Sequence, residues 1–279
     1  MDVDSLAIGV ADPYDLVSTR YGLMLANRND VYIGRALIVY GEYCECETQF
    51  LKRWIDRPGT IVEVGANIGS QTVALAMFAK AVGADVMAFE PQPFVFQNLC
   101  ANLALNAVEN VTTWPFACTS HAGSVGFERP DYRRPGNFGG ISLKVEPETL
   151  DTKVPSVRLD DIVGRRDVTL MKVDVEGFEL NVLQGAVNTI SRCRPVVYVE
   201  NDRVGQSAAL ITYLWGLGYR LWWHISPLFN PQNYRGNAEN LYPMLGAFNM
   251  VGLPRESNIV LQDAEITDAT FHPLAVLRD

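Results

Sequence analysis

The 279-residue chain contains no apolar run of the roughly 18 residues that a membrane-spanning helix needs. Its start, Met1-Asp-Val-Asp-Ser5, has neither the basic stretch nor the apolar core of a secretory signal, so the expected compartment is the cytoplasm. Basic residues are in the minority, 23 against 32 acidic, for a formal charge of −9. A diffuse negative field repels phosphate backbones, so no nucleic-acid partner is expected; only the short group Arg129, Arg133 and Arg134 runs against it. Cysteine is scarce: Cys44, Cys46, Cys100, Cys118 and Cys193 are odd in number and irregular in spacing, which suits packed or surface thiols better than disulfides. Cys44-Glu-Cys46 is too close for paired zinc ligands, and no second pair follows it. Internal repeats and low-complexity tracts are absent.

What is present is an ordinary apolar share, 48%, enough for one large α/β unit with additions at its ends. Residues 1–57 form a mixed lead-in. There Val31-Tyr-Ile and Ala36–Tyr40 suggest short strands, and Glu47–Ile55 a helix. Arg57-Pro-Gly59 punctuates the chain, and residues 58–279 follow as the main domain with a loop-rich C-terminal portion. From Thr60 strands and helices alternate, the signature of a parallel sheet with crossover helices. The strands expected are Thr60–Val64, Asp85–Glu90, Val111–Cys118, Val168–Val173, Pro195–Glu200, Tyr219–Ile225 and Ala247–Val251. Helices are expected from Ser70, acting as a cap, to Lys80, over Phe94–Asn106, from Phe178, and over Gln206–Gly216. Thr119–Pro155 is a polar excursion rich in Gly and Pro.

In an open parallel sheet, ligands bind at the carboxyl ends of the strands. Glu63-Val-Gly65-Ala-Asn-Ile-Gly69 lies at such an end. Gly65 permits a tight turn, and Gly69 lets a ligand approach the next helix. Glu90 closes the following strand, where a carboxylate can accept hydrogen bonds from ribose hydroxyls. A dinucleotide needs G-x-G-x-x-G, and this loop has only Gly-x-x-x-Gly, with Ile68 in the space a phosphate would take. Glu63 can attract an ammonium group. S-adenosylmethionine has an ammonium, a ribose and no phosphate, so the loop favours that cofactor over NAD.

The second dense signal is Val168-Thr-Leu-Met-Lys-Val-Asp174-Val-Glu176-Gly177-Phe-Glu179. A hydrophobic strand delivers Asp174 and Glu176 to the same sheet edge as Gly65 and Glu90, and charges there are costly unless they bind something. Glu179 suits the first turn of the next helix.

These stretches resemble the FkbM family of methyltransferases: Glu63-Val-Gly-Ala-Asn-Ile-Gly69, Phe89-Glu-Pro-Gln-Pro93, Leu99 to Asn106, and above all Lys172-Val-Asp-Val-Glu-Gly-Phe-Glu179. Asp30-Val-Tyr-Ile-Gly34, Gly41-Glu-Tyr43 and Phe229-Asn-Pro-Gln-Asn233 are similar as well. The resemblance spans roughly residues 20 to 255. It implies a Rossmann-like seven-stranded methyltransferase sheet with helices on both faces, and O-methylation of a sugar, glycolipid or natural-product hydroxyl. Glu63 stands where an Asp is commoner in that family.

The cofactor-binding candidates are therefore Glu63, Gly65, Ala66, Asn67, Gly69, Glu90, Pro91, Asp174 and, at the end of the third strand, Ala117. Methyl transfer is an in-line displacement in which orientation does most of the work, helped by a base. Asp174 or Glu176 is expected to be that base, with His224 a third candidate. Catechol-type O-methyltransferases suggest a further possibility: Asp174 with Glu200 and Asn201 holding Mg²⁺ or Ca²⁺. The alternative is that Glu200 and Asn201 bind acceptor hydroxyls directly. On the acceptor side, the Arg129–Gly140 loop can close over the site or meet an anion. Trp215, Trp222, Trp223, Phe229, Tyr234 and Tyr242 are either core or sugar-stacking, and Asn230 and Asn233 can add hydroxyl contacts. Three rival readings remain. A nicotinamide-dependent oxidoreductase and a non-catalytic S-adenosylmethionine-binding module are two. The third, an amino-methylating nucleic-acid enzyme, would carry Asn- or Asp-Pro-Pro-aromatic where this chain has Asp174-Val-Glu-Gly177.

Overall fold

The computed structural model describes residues 10–144, 150 and 152–276. The chain opens with an antiparallel hairpin, β1 (Tyr14–Thr19) and β2 (Gly22–Asn27), followed by helices α1 (Ile33–Tyr40) and α2 (Glu45–Lys52). The alternating part then begins: β3 (Thr60–Val64), α3 (Thr72–Val82), β4 (Asp85–Phe89), α4 (Pro93–Leu105) and β5 (Val111–Trp114). The excursion holds β6 (Ala117–Cys118), β7 (Gly123–Phe127), β8 (Thr152–Val157) and the short α5 (Leu159–Val163). The remainder is β9 (Val168–Val173), α6 (Glu179–Gln184), α7 (Val187–Cys193), β10 (Val196–Glu200), α8 (Val204–Gly216), β11 (Tyr219–Pro227), β12 (Gly246–Pro254) and α9 (Pro273–Val276).

Seven strands form one sheet in the order β11-β12-β10-β9-β3-β4-β5. Strands β10, β9, β3, β4 and β5 pair in parallel, and β12 runs antiparallel to both of its neighbours. Alternate residues supply opposite faces, as the pleat requires. Val62, Val64, Met87, Phe89, Met171 and Val173 pack against α5 to α8. Ile61, Val86 and Leu170 pack against α2 and α3, while Ala88 meets α4 and the hairpin. Helices thus cover both faces, and the central strands β3 and β9 are buried along their whole length. This is the Rossmann-like seven-stranded sheet expected. The chain leaves β3 toward β4 and β5, then returns to build β9 and β10 on the other side. The carboxyl ends of β3 and β9 therefore adjoin at the point where the order reverses, and a crevice opens there.

Four local expectations are corrected. Ala36–Tyr40 is the second half of helix α1 and not a strand: Ile33, Ala36, Leu37 and Tyr40 are among its buried residues and form the i, i+3, i+4, i+7 stripe of a helix. Val31 is not in a strand either; its N–H donates to Gly136 O at 3.1 Å. The third strand stops at Trp114, because Pro115 has no N–H to continue the ladder; Ala117–Cys118 pairs with β8 in a separate three-stranded sheet. Helix α3 starts at Thr72 without a side-chain cap, so Ser70 does not cap it. Val95, Leu99 and Leu103 are buried on one face of α4, as their spacing predicts. All five cysteines are free, and no helix among the described residues is long and apolar enough to cross a membrane.

Candidate active site

The crevice at the sheet reversal is a cleft of about 420 Å³ lined by residues between Tyr32 and Asn249. Its floor begins with the glycine loop. Gly65 has φ +88°, and a Cβ there would lie 1.8 Å from Asp174 O, so only glycine lets the ends of β3 and β9 meet. Asn67 also takes a positive φ, +50°, tolerated because its Oδ1 accepts the N–H of Ile68 at 2.7 Å. The loop amides are all spent inside the protein. Gly65 and Ala66 donate to Phe89 O, Gly69 donates to Ala66 O, and Asn67 donates to Glu90 Oε2 at 3.0 Å. Asn102 of α4 braces the loop by donating to Ile68 O at 2.8 Å. No amide of this loop is left to cradle a pyrophosphate.

Glu90 sits just beyond β4, 3% exposed. Its two oxygens each accept one backbone N–H, from Asn67 and, at 2.8 Å, from Gln92. Burial pushes its pKa up to about 7, against the pull of those two bonds. Each oxygen keeps a free lone pair for a ligand hydroxyl. Gln92 is fixed in turn by Phe138 O and the Tyr132 hydroxyl. These bonds, with Tyr132 and Phe138 buried against α4, lay residues 137–141 along the cleft. The Arg129–Gly140 loop does border the site, but through Asn137, Gly139 and Gly140. Its arginines are exposed and outside the lining.

The end of β9 supplies the opposite wall. Lys172, 1% exposed, donates from Nζ to Asp174 Oδ2 at 3.0 Å and lies 4.0 Å from Glu47 Oε1. Burial alone would lower the Lys172 pKa; Asp174, then Glu47 and Glu63, outweigh it and hold it raised. Glu47 comes from α2 and is held by Gln71 Nε2 at 3.0 Å and Asn249 Nδ2 at 3.2 Å. After Asp174 the backbone turns sharply through Glu176 and Gly177, both at positive φ. Glu179, first in α6, secures that turn by accepting the N–H groups of Val175 and Gly177. Glu176 is bridged to Arg203, and its pKa is raised to about 8 by burial and then by Asp174. Burial also raises Glu200 well above the usual carboxylate range, and its Oε2 has no partner.

Of the residues singled out from sequence, Gly65, Ala66, Asn67, Glu90, Pro91, Asp174, Glu176 and Glu200 line this one cleft. Five others do not. Gly69 packs under the loop on Leu99. Ala117 is buried in the core of the small sheet. Glu63 is 1% exposed beneath the floor, register partner of Lys172, with its pKa raised to about 7 by burial and pulled down by that ammonium. Asn201 turns inward, donating to Ser207 Oγ and Met250 Sδ, so the set Asp174, Glu200 and Asn201 does not assemble. The carboxylates that do converge are Glu176, Glu200 and Asp202, within 4.8 Å of one another, and Arg203 already bridges two of them. His224 stacks on Phe50 at 3.9 Å and hydrogen-bonds the Tyr198 hydroxyl; burial lowers its pKa to about 4, and it is not among the residues that line the cleft.

The aromatic stripe is structural. Trp222 and Tyr242 are buried, Phe229 packs on Tyr40, and none of the six lines the cleft. Asn230 and Tyr234 instead bond Glu42 of the lead-in, and Asn233 bonds its own loop. The cleft also takes in Glu47, Gln71, Asp202 and Arg203, and Lys172, which in the sequence is only the first residue of the family-like block. Only Lys172 carried a local signal, a lone cation inside an apolar strand.

The model of the methyltransferase FkbM domain matches residues 63–221, which contain the glycine loop, Glu90 and Asp174. Methyltransferase sdnD of Sordaria araneosa is 32% identical over 161 residues, covering 45% of this chain and 59% of that protein. The hexuronic acid methyltransferase AglP of Haloferax volcanii is 30% identical over 138 residues, covering 48% and 53%. The matches thus span little more than half the length of these relatives. Among solved structures, an FkbM methyltransferase from Methylobacillus flagellatus aligns with a TM-score of 0.46 at 17% identity, over 80% of this chain and 55% of that one. With more than half of its residues inside the family's domain, the chain belongs to the FkbM methyltransferase family.

Proposed function

We propose that the protein is an S-adenosylmethionine-dependent O-methyltransferase acting on a hydroxyl of a sugar, glycolipid or other small molecule. One observation carries this reading: Glu90 and Asp174 face a single cleft on either side of Gly65, at the sheet reversal. When bound, S-adenosylmethionine supplies an electrophilic methyl on a sulfonium. Glu90 accepts the ribose hydroxyls with its free lone pairs, and the glycine loop admits the ligand backbone-close. Asp174 takes the acceptor proton, being the carboxylate beside the loop. The nicotinamide alternative is disfavoured, because every amide of the glycine loop is already bonded within the protein and none is left for a pyrophosphate. No step is routed through a metal, since Arg203 spans Glu176 and Asp202 where a cation would lie.

Two measurements test the reading. S-adenosylhomocysteine should raise the melting temperature and NAD should not; the reverse would sink it. Radiolabelled methyl transfer should then be measured on the methyl glycosides of glucose, galactose and glucuronic acid. The last is included because one relative is a hexuronic acid methyltransferase.

A further inference from the structure

We propose that Lys172 is itself a catalytic residue of this transfer, and that Glu47 of the lead-in helix α2 is the residue that positions it. The inference rests on the functional reading above. A lysine near the end of β9, every residue of which is buried, is costly unless it is paired and used. An ammonium has three N–H donors. Among the described residues Lys172 makes one hydrogen bond, to Asp174 Oδ2, and Glu47 Oε1 at 4.0 Å is beyond hydrogen-bond reach. Glu47 cannot swing closer without breaking its bonds to Gln71 and Asn249. Lys172 therefore keeps donor capacity, and it lines the cleft.

Asp174 is complementary. Oδ2 is taken by Lys172, and Oδ1 has no partner among the described residues. A free donor and a free acceptor thus stand side by side, and a hydroxyl is the group that satisfies both. The acceptor hydroxyl donates to Asp174 Oδ1 and accepts from Lys172, which leaves its second lone pair for the methyl carbon. In the transfer the O–H bond breaks and its proton goes to Asp174. The new O–C bond forms as the C–S bond breaks, and the electron pair stays on sulfur. Lys172 offsets the negative charge that develops on the oxygen. Glu47, anchored from two other elements, is the fixed counter-charge that keeps the ammonium at that place.

The test measures turnover on whichever glycoside of the panel above is methylated fastest, with S-adenosylhomocysteine affinity read separately by calorimetry. Lys172→Met should lower kcat by about 100-fold, the size of a lost general-acid/base or charge-stabilising contact. Its affinity for S-adenosylhomocysteine should stay within about threefold of wild type, and Lys172→Arg should recover about tenfold of the lost rate. Glu47→Gln should lower kcat by about tenfold with the acceptor KM unchanged, as misplacement of a catalytic group does. The double variant Glu47→Gln/Lys172→Met removes both charges, so it leaves Glu47 neutral and should fold while being as slow as Lys172→Met. Wild-type kcat in either Lys172→Met variant would overturn the proposal. So would a parallel loss of S-adenosylhomocysteine affinity, which would assign Lys172 to the cofactor. If neither uncharged variant folds, Glu47→Gln decides: a wild-type kcat there would overturn it. If the wild-type protein methylates no member of the panel, the functional reading and this inference fall together.

Discussion

Gly65→Ala is the sharpest perturbation of the cleft. Gly65 has φ +88°, and an added Cβ would lie 1.8 Å from Asp174 O and 2.9 Å from Asp174 C. Real Cβ contacts essentially never fall below 3.0 Å, so the ends of β3 and β9 must part by more than an ångström. That breaks the Asp174 N–H bond to Val64 O, now 3.0 Å, worth about 1 kcal/mol. A left-handed alanine adds about 1–2 kcal/mol. Stability should therefore fall by about 2–3 kcal/mol. Displacing Asp174 by about 1 Å should lower kcat by about 100-fold. Gly83→Ala is the internal control: φ is +72°, but nothing lies within 4 Å of the added Cβ. It meets the conformational cost alone, about 1–2 kcal/mol, with no change in turnover. Urea melts, calorimetric S-adenosylhomocysteine binding and kcat would be measured on both. Equal stability losses with wild-type turnover in Gly65→Ala would refute the claim that close contact between the strand ends demands this glycine.

The remaining predictions follow from charge and placement. Glu90, raised to about 7 by burial, should bind ribose hydroxyls as the carboxylate. S-adenosylhomocysteine affinity should therefore be about tenfold weaker at pH 6 than at pH 8 and level off above it, and Glu90→Gln should flatten that profile. The sign for stability is opposite. A carboxyl whose folded pKa is raised favours the folded state least when ionised, so the ligand-free protein should lose stability as pH rises from about 4.5 through 7. Glu90→Gln should remove part of that slope in pH-dependent melts, and an unchanged slope would contradict it. His224→Gln should leave kcat within about threefold, because burial makes the imidazole a weak base and it does not line the cleft; a tenfold loss would restore it as a base. Dialysis against EDTA should leave turnover unchanged. Loss of turnover that Mg²⁺ restores would mean Arg203 yields its carboxylates to a cation.

Much of the site was legible because its signals are local. The apolar runs of β3 and β9 announce strands buried on both faces, and Gly65, Glu90 and Asp174 each stand directly at a strand end. Where a strand ends, its loop must lie on the sheet edge, so three separate motifs were placed together without any contact being known. The misreadings had physical causes of their own. The Ile33–Tyr40 segment is apolar enough to pass for a strand, yet its buried residues follow the helical repeat. Asn201 and Glu200 were paired as neighbours in sequence. Where β10 ends, Glu200 and Asp202 turn to the cleft while Asn201 points into the core, the alternation that a strand imposes. Glu63 was read as meeting the ligand, but its own pleat position sends it beneath the floor to the side of Lys172.

The sequence by itself determined the parallel sheet, the glycine turn, the strand-terminal carboxylates and the family, because each depends on residues within one strand–loop–helix unit. Only the tertiary structure decided what works with them. Glu47 and Lys172 are 125 positions apart, and no periodicity relates them; packing of α2 against α3 and β11 brings them to 4.0 Å. Likewise the end of β4 takes up the amides of Gly65, Ala66 and Asn67, Phe50 stacks on His224, and Arg203 is seated between Glu176 and Asp202. Those are decisions about which buried charge faces which, and a chain settles them only when it folds.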